Sequence, residues 1–236
     1  MRLSDMHFHL DGFKNHHQIY NQINALEQYT LCVTNSPTIF QACIDTYSET
    51  NYVRFALGSH PLANDRTFNA LQFERLAKQT RYIGEVGLDF SKVSLTAREK
   101  QKHRFCEICD ILSNEHKILS VHSLSAETEV YRILSKRRGA NKIIMHWFCG
   151  DTSTMRKLAD IGCYFSLNIG QLKKHVDLIK SMPIDRLLIE SDAPIGSYTS
   201  EKYTPQELNK LYTTFSNVLG FDITAQINEN LKTILS

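Results

Sequence analysis

Short apolar runs recur along the whole chain and alternate with segments whose apolar residues have helical spacing. The runs are hydrophobic on both faces, as in Ile143-Ile144-Met145, and this is typical of strands buried within a parallel sheet. Eight such runs predict strands, at Arg2–Met6, Tyr29–Thr34, Tyr52–Gly58, Tyr82–Val86, Ile118–Val121, Lys142–Met145, Gly162–Leu167 and Arg186–Ile189.

The segments between these runs predict amphipathic helices. Thr96 followed by Glu99 is a capping-box pattern at the start of the longest one, and Pro205 is well placed in the first turn of a later helix. The predicted helices are Leu71–Gln79, Thr96–Asn114, Thr128–Arg137, Thr152–Asp160, Leu172–Ser181, Pro205–Leu219 and Thr224–Leu235.

Eight strands that alternate with helices predict an α/β protein with a (β/α)₈ TIM barrel. A doubly wound open sheet is the alternative. Neither the dinucleotide-binding pattern GxGxxG nor the phosphate-binding loop GxxxxGK[ST] occurs. No linker, repeat or shift in composition divides the chain, so we expect residues 1–236 to form a single domain.

Composition narrows the class of protein. Hydrophobic residues make up 42% of the chain and charged residues 22%, which excludes disordered and fibrous proteins. The net charge of +2 argues against a broad basic surface and leaves room for a local phosphate-binding cleft. No run approaches the about 18 apolar residues of a membrane helix, and the polar N-terminus is unlike a secretory signal. Six cysteines are too few for a disulfide scaffold. We therefore expect a cytoplasmic protein with reduced thiols and no membrane attachment.

Two segments carry residues that are unusual in buried strands. His7 and His9 are two residues apart at the end of the first strand, so both point to one side and form half of a divalent-metal site. Glu85 lies in an apolar strand between Gly84 and Gly87. A buried carboxylate is costly unless it is paired or binds a metal. The alternative for Glu85 is a salt bridge inside the barrel.

Three further polar residues, His122, His146 and Asp192, follow strands five, six and eight. Each histidine alone would fit a hydrogen-bonded core position, and the aspartate alone would fit a turn. Because barrel strands end on one common rim, we expect the polar residues to converge. Mixed imidazole and carboxylate ligands suit Zn²⁺ or Mn²⁺, and six ligands suit two ions that share Glu85. The candidate metal ligands are His7, His9, Glu85, His122, His146 and Asp192.

Two residues are candidates for substrate binding. His60 ends strand three on the same rim and could hold a substrate phosphate, and the alternative is a loop histidine fixed by Pro61. Trp147 could stack on a base, and the alternative is packing at the barrel mouth.

Other chemically capable residues have simpler interpretations. Cys106 and Cys109 share one face of a helix, which favours core packing over metal binding. His175 is expected on a helix surface. Cys149 could line the pocket, but no pairing of a nucleophilic cysteine with a histidine is readable.

Taken in order, six motifs resemble those of the TatD family of metal-dependent hydrolases, and the resemblance covers nearly the whole chain. The motifs are Asp5-Met6-His7-Phe8-His9-Leu10-Asp11, Gly58-Ser59-His60-Pro61, Ile83-Gly84-Glu85-Val86-Gly87-Leu88-Asp89, Val121-His122-Ser123, His146-Trp147-Phe148-Cys149-Gly150 and Glu190-Ser191-Asp192-Ala193-Pro194.

The resemblance implies an amidohydrolase-like TIM barrel with two divalent metal ions (Zn, Mg or Mn). It implies nuclease activity on DNA, often exonucleolytic, with single strands or DNA ends as the partner. By motif, His7 and His9 bind one ion and Glu85 is shared between the two. His122 and His146 bind the second ion. Asp192 is a ligand that also moves a proton, so Glu85 and Asp192 are the catalytic candidates.

The sequence also departs from the family pattern. The basic residue expected soon after His122 is absent, and Trp147 and Cys149 occupy two positions that are commonly small. This divergent form resembles the QatD-type nucleases of bacterial anti-phage defence clusters, which implies an antiviral role and partner proteins of a defence complex.

The leading hypothesis is therefore a two-metal deoxyribonuclease in which Asp192 accepts or relays the proton of the attacking water. A metal-dependent amide or ester hydrolase, such as an aminoacyl-tRNA deacylase, is the alternative enzyme. A binding subunit that kept the barrel and lost turnover is the non-enzymatic alternative.

Overall fold

The computed structural model describes residues 2–63, 68–195 and 203–236. Its centre is a sheet of eight parallel strands in the order of the sequence. The last strand returns beside the first, where the Asp192 amide donates to the His7 carbonyl at 2.9 Å and the His9 amide donates to the Ala193 carbonyl at 2.9 Å. The strands are Ser4–Phe8 (β1), Tyr29–Cys32 (β2), Val53–Leu57 (β3), Tyr82–Gly87 (β4), Ile118–His122 (β5), Lys142–His146 (β6), Tyr164–Leu167 (β7) and Leu187–Ile189 (β8).

Helices follow the strands and surround the barrel, so the predicted (β/α)₈ fold is confirmed. Short 3₁₀ turns occur at Leu10–Gly12, Ile169–Lys173 and Ile184–Arg186. The α-helices are His16–Ala25 (α1), Pro37–Thr46 (α2), Ala70–Ala77 (α3), Leu95–Ile111 (α4), Glu127–Arg137 (α5), Thr152–Asp160 (α6), Val176–Ser181 (α7), Glu207–Leu219 (α8) and Thr224–Leu235 (α9). That residues 1–236 form one domain stays a prediction.

Two helix starts differ from the prediction. The capping box at Thr96 and Glu99 is wrong, because α4 begins one residue earlier and the side chain of Ser94 accepts from the Ala97 amide at 3.2 Å. Pro205 lies just before α8 and outside its first turn. Ser94 caps α4 in place of Thr96, and α8 begins at Glu207 rather than at Pro205.

The predicted helix Leu172–Ser181 is broken into a 3₁₀ turn and α7. A reciprocal cap holds the turn: the Asn168 side chain accepts from the Gly170 amide at 2.8 Å, and the Gln171 side chain accepts from the Asn168 amide at 2.8 Å. The Gln171 amide group also donates to the Phe148 carbonyl at 2.6 Å. The chain is thereby fixed to the end of β6, and a continuous helix is excluded.

The apolar core has two layers. The larger layer lies between the strands and the surrounding helices, as Phe55, Phe105 and Phe165 show. The smaller layer has one buried residue from each strand, together with Val33 after β2 and Ile234 of α9, and it fills the barrel interior. The eight strand residues are Met6, Leu31, Ala56, Tyr82, Ile118, Ile144, Tyr164 and Leu188. They form an apolar floor beneath the polar side chains that follow on the same strands.

Among the helices of the described residues, none combines the length and the apolar character that a membrane span requires.

Candidate metal centre

Irregular pairing in two strands brings the first candidate ligands into the barrel. The register of β1 against β2 shifts between Asp5 and Phe8, and that of β4 against β5 shifts between Ile83 and Val86. Such bulges redirect side chains and are frequent next to active sites. His7 and Glu85 lie in these two irregular segments.

Within β4, the position before Glu85 requires a glycine, Gly84. A Cβ atom at Gly84 would stand 2.9 Å from the Cβ of Ser120, closer than two packed carbons approach. Gly84 thus allows β4 and β5 to approach closely beside the Glu85 carboxylate.

Four donor atoms converge at one point of the rim. The Nε2 atoms of His7 and His9 are 3.3 Å apart. The distances from His7 Nε2 to Glu85 Oε2 and to Asp192 Oδ1 are 3.5 and 3.6 Å. The corresponding distances from His9 Nε2 are 3.6 and 3.4 Å. All four side chains are buried.

These four atoms fit a divalent ion. Donors around one tetrahedral ion at a bond length of about 2.1 Å stand about 3.4 Å apart, and the distances above scatter around that value. Two imidazoles and two carboxylates are also the donor types that bind Zn²⁺ in proteins. The residues present therefore match the metal that the sequence motifs imply.

The second oxygen of Glu85 faces a different set of histidines. Glu85 Oε1 lies 2.6 Å from His122 Nδ1, and it lies 3.6 Å from the Nε2 atoms of both His60 and His146. The ligand atoms of His60, Glu85 and His122 all lie within 4.8 Å of one another. Glu85 thus stands between two donor sets, with one carboxylate oxygen turned toward each.

Hydrogen bonds fix two of the imidazole rings. His7 Nδ1 hydrogen-bonds with Ser120 Oγ at 2.7 Å, and His146 Nδ1 donates to Glu190 Oε1 at 2.9 Å. Asn168 donates to the same Glu190 oxygen at 3.3 Å. Such partners set the ring orientation and leave the other nitrogen free to bind a metal. Ser120 is a functional residue that the sequence motifs do not reveal, and its small polar side chain on a buried strand is the available signal.

His122 is held by carboxylates on both ring nitrogens. Its Nδ1 donates to Glu85, and its Nε2 donates to Asp89 Oδ2 at 3.1 Å. Asp89 in turn accepts from the Ser91 amide at 2.9 Å. A ring that donates from both nitrogens carries a positive charge, so His122 is an imidazolium in this arrangement.

The histidine pKa values follow from these partners. Burial disfavours the charged form of His122, but the hydrogen bonds to Asp89 and Glu85 outweigh it and raise its pKa to about 9. Burial also opposes protonation of His146, and the Glu190 charge and hydrogen bond still raise its pKa to about 10. For His60, burial dominates and lowers the pKa to about 4. His60 is therefore neutral near pH 7.

Arg104 on α4 fixes the backbone of the His60 loop. Arg104 Nη2 donates to the carbonyls of His60 and Pro61 at 3.1 and 2.8 Å. His60 Nδ1 accepts from the Leu62 amide at 3.1 Å. Because Nδ1 is the acceptor, the ring proton lies on Nε2, which faces the centre. An arginine inside the α4 pattern gave no local signal for this contact.

A cavity of about 420 Å³ opens beside the centre, and Glu85, His60, His146 and Asp192 form part of its lining. Trp147 also lines the cavity. Its ring packs against Gly170 in the 3₁₀ turn Ile169–Lys173, where an added Cβ atom would stand 2.2 Å from the indole Cζ2.

Cys149 lines the cavity as the sequence analysis suggested. Burial raises the pKa of its thiol to about 11, so it is not a thiolate near pH 7 and gives no nucleophile. Lys173, Lys174 and His175 also line the cavity. The prediction that His175 lies on a plain helix surface is wrong, because the chain breaks between the 3₁₀ turn and α7.

The remaining cysteine pair stays away from the centre. Cys106 and Cys109 are free thiols on α4, and burial raises the pKa of Cys109 to about 12. Their interpretation as packing residues agrees with this position.

Comparison with known proteins identifies the family. Residues 4–236 match the family model described as TatD related DNase. The chain is 28% identical over 212 residues to the uncharacterized metal-dependent hydrolase YcfH of Escherichia coli K12, covering 82% of this chain and 78% of that protein. It is 30% identical over 116 residues to deoxyribonuclease Tat-D of Schizosaccharomyces pombe, covering 48% of this chain and 37% of that protein.

A solved structure of the same family has the same fold. The crystal structure of YjjV, a TatD homologue from E. coli, superposes with a TM-score of 0.85 at 17% identity, covering 99% of this chain and 97% of that one. The family model spans nearly the whole chain. The chain therefore belongs to the TatD-related DNase family and is a metal-dependent hydrolase.

Proposed function

We propose that the protein is a two-metal phosphodiester hydrolase that acts on DNA, as an exonuclease on single strands or DNA ends. One observation carries the proposal: Glu85 turns one carboxylate oxygen toward His7 and His9 and the other toward His122 and His146. A carboxylate shared by two donor sets is how two-metal hydrolases hold ions about 3.5–4 Å apart. The deoxyribonuclease named among the relatives supports DNA as the substrate.

The donor atoms divide into two ligand sets. His7, His9, Asp192 and Glu85 Oε2 would hold one ion. Glu85 Oε1 with the two remaining motif histidines, His122 and His146, would hold the other. Imidazole-rich sites favour Zn²⁺ over Mg²⁺, and Mn²⁺ is the next candidate. Divalent ions supply Lewis acidity, which activates water for attack and neutralises charge on the phosphoryl oxygens.

The chain's own residues then handle protons and the substrate. Burial opposes ionisation of Asp192, but its hydrogen bond to His9 and the nearby imidazoles lower its pKa below the usual range. The ionised carboxylate can accept the proton of the attacking water. His60 presents a neutral Nε2–H that can donate to a phosphoryl oxygen. The Trp147 ring offers a surface on which a base can stack. Stacking does not depend on which base is present.

The divergent motifs after β5 and β6 support a narrower placement. We infer a QatD-type nuclease of bacterial anti-phage defence, working in the cytoplasm with partner proteins. Expression of the surrounding gene cluster in a susceptible host should reduce plaque formation, and the Glu85→Ala variant should remove that protection. Equal plaque counts with and without the cluster would refute the defence role and would not affect the nuclease proposal.

A substrate panel tests the proposed activity. The Zn²⁺- or Mn²⁺-loaded protein is incubated with end-labelled single-stranded DNA, double-stranded DNA, aminoacylated tRNA and a set of amides and esters. We expect progressive shortening of the labelled DNA and no acyl release. Acyl release without DNA cleavage would replace the proposal with the amidase or esterase alternative. Fewer than one bound ion per chain under metal-replete conditions would favour a binding subunit.

A further inference from the structure

One edge of the cavity carries two cations that no part of the metal centre uses. Lys173 and Lys174 end the 3₁₀ turn after β7, and both line the cavity with exposed side chains. Within residues 2–63, 68–195 and 203–236, neither ammonium group forms an ion pair with a carboxylate. Lysine is a mobile point charge that binds phosphates well.

The backbone that carries these lysines is fixed by buried groups. Gln171 is fully buried and donates to the Phe148 carbonyl at 2.6 Å, and it closes the reciprocal cap with Asn168. Gly170 packs against the Trp147 ring. The lysine-bearing turn therefore packs against the Trp147 ring, and the backbone that carries the two lysines is held at the cavity edge.

Other parts of the cavity lining have a different character. Leu124 and Cys149 are apolar members of the lining, and Glu127 is an acidic one. A cleft with apolar walls concentrates the field of the charges that line it. Lys173 and Lys174 therefore attract an anion that enters the cavity, whereas Glu127 does not.

The size of the cavity suits one nucleotide unit. Its volume of about 420 Å³ is near the lower end of the roughly 300–1,000 Å³ of small-molecule sites. A base can lie against Trp147 and the apolar part of the lining while one phosphate lies at the metal centre. The next phosphate of the strand can then reach Lys173 and Lys174, which are the only lysine or arginine side chains among the described lining residues.

We propose that Lys173 and Lys174 form a binding site for the phosphate next to the one that is cleaved. The substrate class is then a nucleotide chain with at least two phosphates, and the site selects it over isolated phosphodiesters. This inference rests on the proposed phosphodiesterase function.

The test compares one-phosphate and many-phosphate substrates. Lys173→Ala/Lys174→Ala is assayed as the metal-loaded full chain on a labelled single-stranded oligonucleotide and on bis(p-nitrophenyl) phosphate, which has a single phosphate. We expect KM for the oligonucleotide to rise about tenfold with kcat unchanged, and kcat/KM for the small diester to stay within twofold. The slope of log KM against log salt should fall by about 1. Lys173→Arg/Lys174→Arg should restore KM.

A binding measurement and a control complete the design. Fluorescence anisotropy with a cleavage-resistant phosphorothioate oligonucleotide should show the same about tenfold loss of affinity. Lys180→Ala removes an exposed lysine from the other end of the neighbouring helix α7 and should change neither assay. Equal losses on both substrates, or unchanged oligonucleotide KM and affinity, overturn the phosphate site. Wild-type protein that cleaves neither diester refutes the proposed function, and the anisotropy comparison then decides the lysine site separately.

Discussion

The two sides of Glu85 are built differently. On one side, the donor atoms of His7, His9 and Asp192 stand 3.3–3.6 Å from one another or from the carboxylate. These are the separations of ligands around an ion. On the other side, His122 Nδ1 lies 2.6 Å from the carboxylate, which is the separation of a hydrogen bond.

The difference indicates that the site of His7 and His9 is preformed for an ion, whereas the site of His122 is blocked by the proton that this ring carries. The second site must release a proton from His122, whose two nitrogens both donate to carboxylates, before that ring can bind an ion. We therefore expect the two ions to bind with unequal affinity. The ion held by His7 and His9 should bind first.

We expect the largest effect from removal of the shared Glu85 carboxylate. Glu85→Ala should bind neither ion tightly, and DNA cleavage should fall at least about a thousandfold, because each ion contributes several kcal/mol to the transition state. Metal analysis and an initial-rate assay measure both quantities. Glu74→Ala, at an exposed position on α3, is the control. Full activity of Glu85→Ala with a native circular dichroism spectrum would refute the two-metal centre.

Substitutions on the two sides should separate the two ions. His9→Ala should weaken the tight site, whereas His122→Ala should leave about one tightly bound ion per chain. Isothermal titration with Zn²⁺ gives the stoichiometry of each variant. Identical stoichiometry for the two variants would contradict the asymmetry between the two sides of Glu85.

A smaller effect is expected from the carboxylate behind His122. Asp89→Asn removes the charge that His122 Nε2 faces at 3.1 Å and that helps to raise the pKa of this ring. The ring then releases its proton more easily, so the second titration step near pH 7 should strengthen by about tenfold for each pKa unit that is lost. A weakened second step would contradict the competition between proton and ion, and a changed first step would mean that Asp89 acts on the whole rim.

The smallest effect belongs to the His60 loop. Arg104→Met keeps much of the side-chain length but removes both hydrogen bonds to the His60 and Pro61 carbonyls. We expect a loss of about threefold to tenfold in kcat, from less exact positioning, with both metal affinities preserved. If the variant loses an ion instead, His60 belongs to the ligand set and its substrate role is wrong.

Much of the fold and the centre could be predicted from the sequence, for local reasons. Buried parallel strands leave continuous apolar runs, and polar residues stand out directly after them. His7, Glu85 and His146 are such residues, and the barrel topology then places strand ends on one rim. The lengths of the runs matched the observed strands closely, as for Lys142–Met145 against β6.

The remaining features depend on contacts between distant segments. The break before α7 needs the bond from Gln171 to Phe148, which no local pattern encodes. Arg104 reads as an ordinary helix residue until the His60 loop packs beside it. The local pattern predicts a helix over Lys173 and Lys174, and only the break before α7 brings these residues to the cavity edge.

The most direct test of the shared carboxylate is a crystal structure of the Zn²⁺-soaked protein with anomalous data collected at the zinc edge. We predict two anomalous peaks, one within about 2.2 Å of each Glu85 oxygen, with His7 and His9 on the first and His122 and His146 on the second. A single peak, or two peaks that contact the same Glu85 oxygen, would contradict the account.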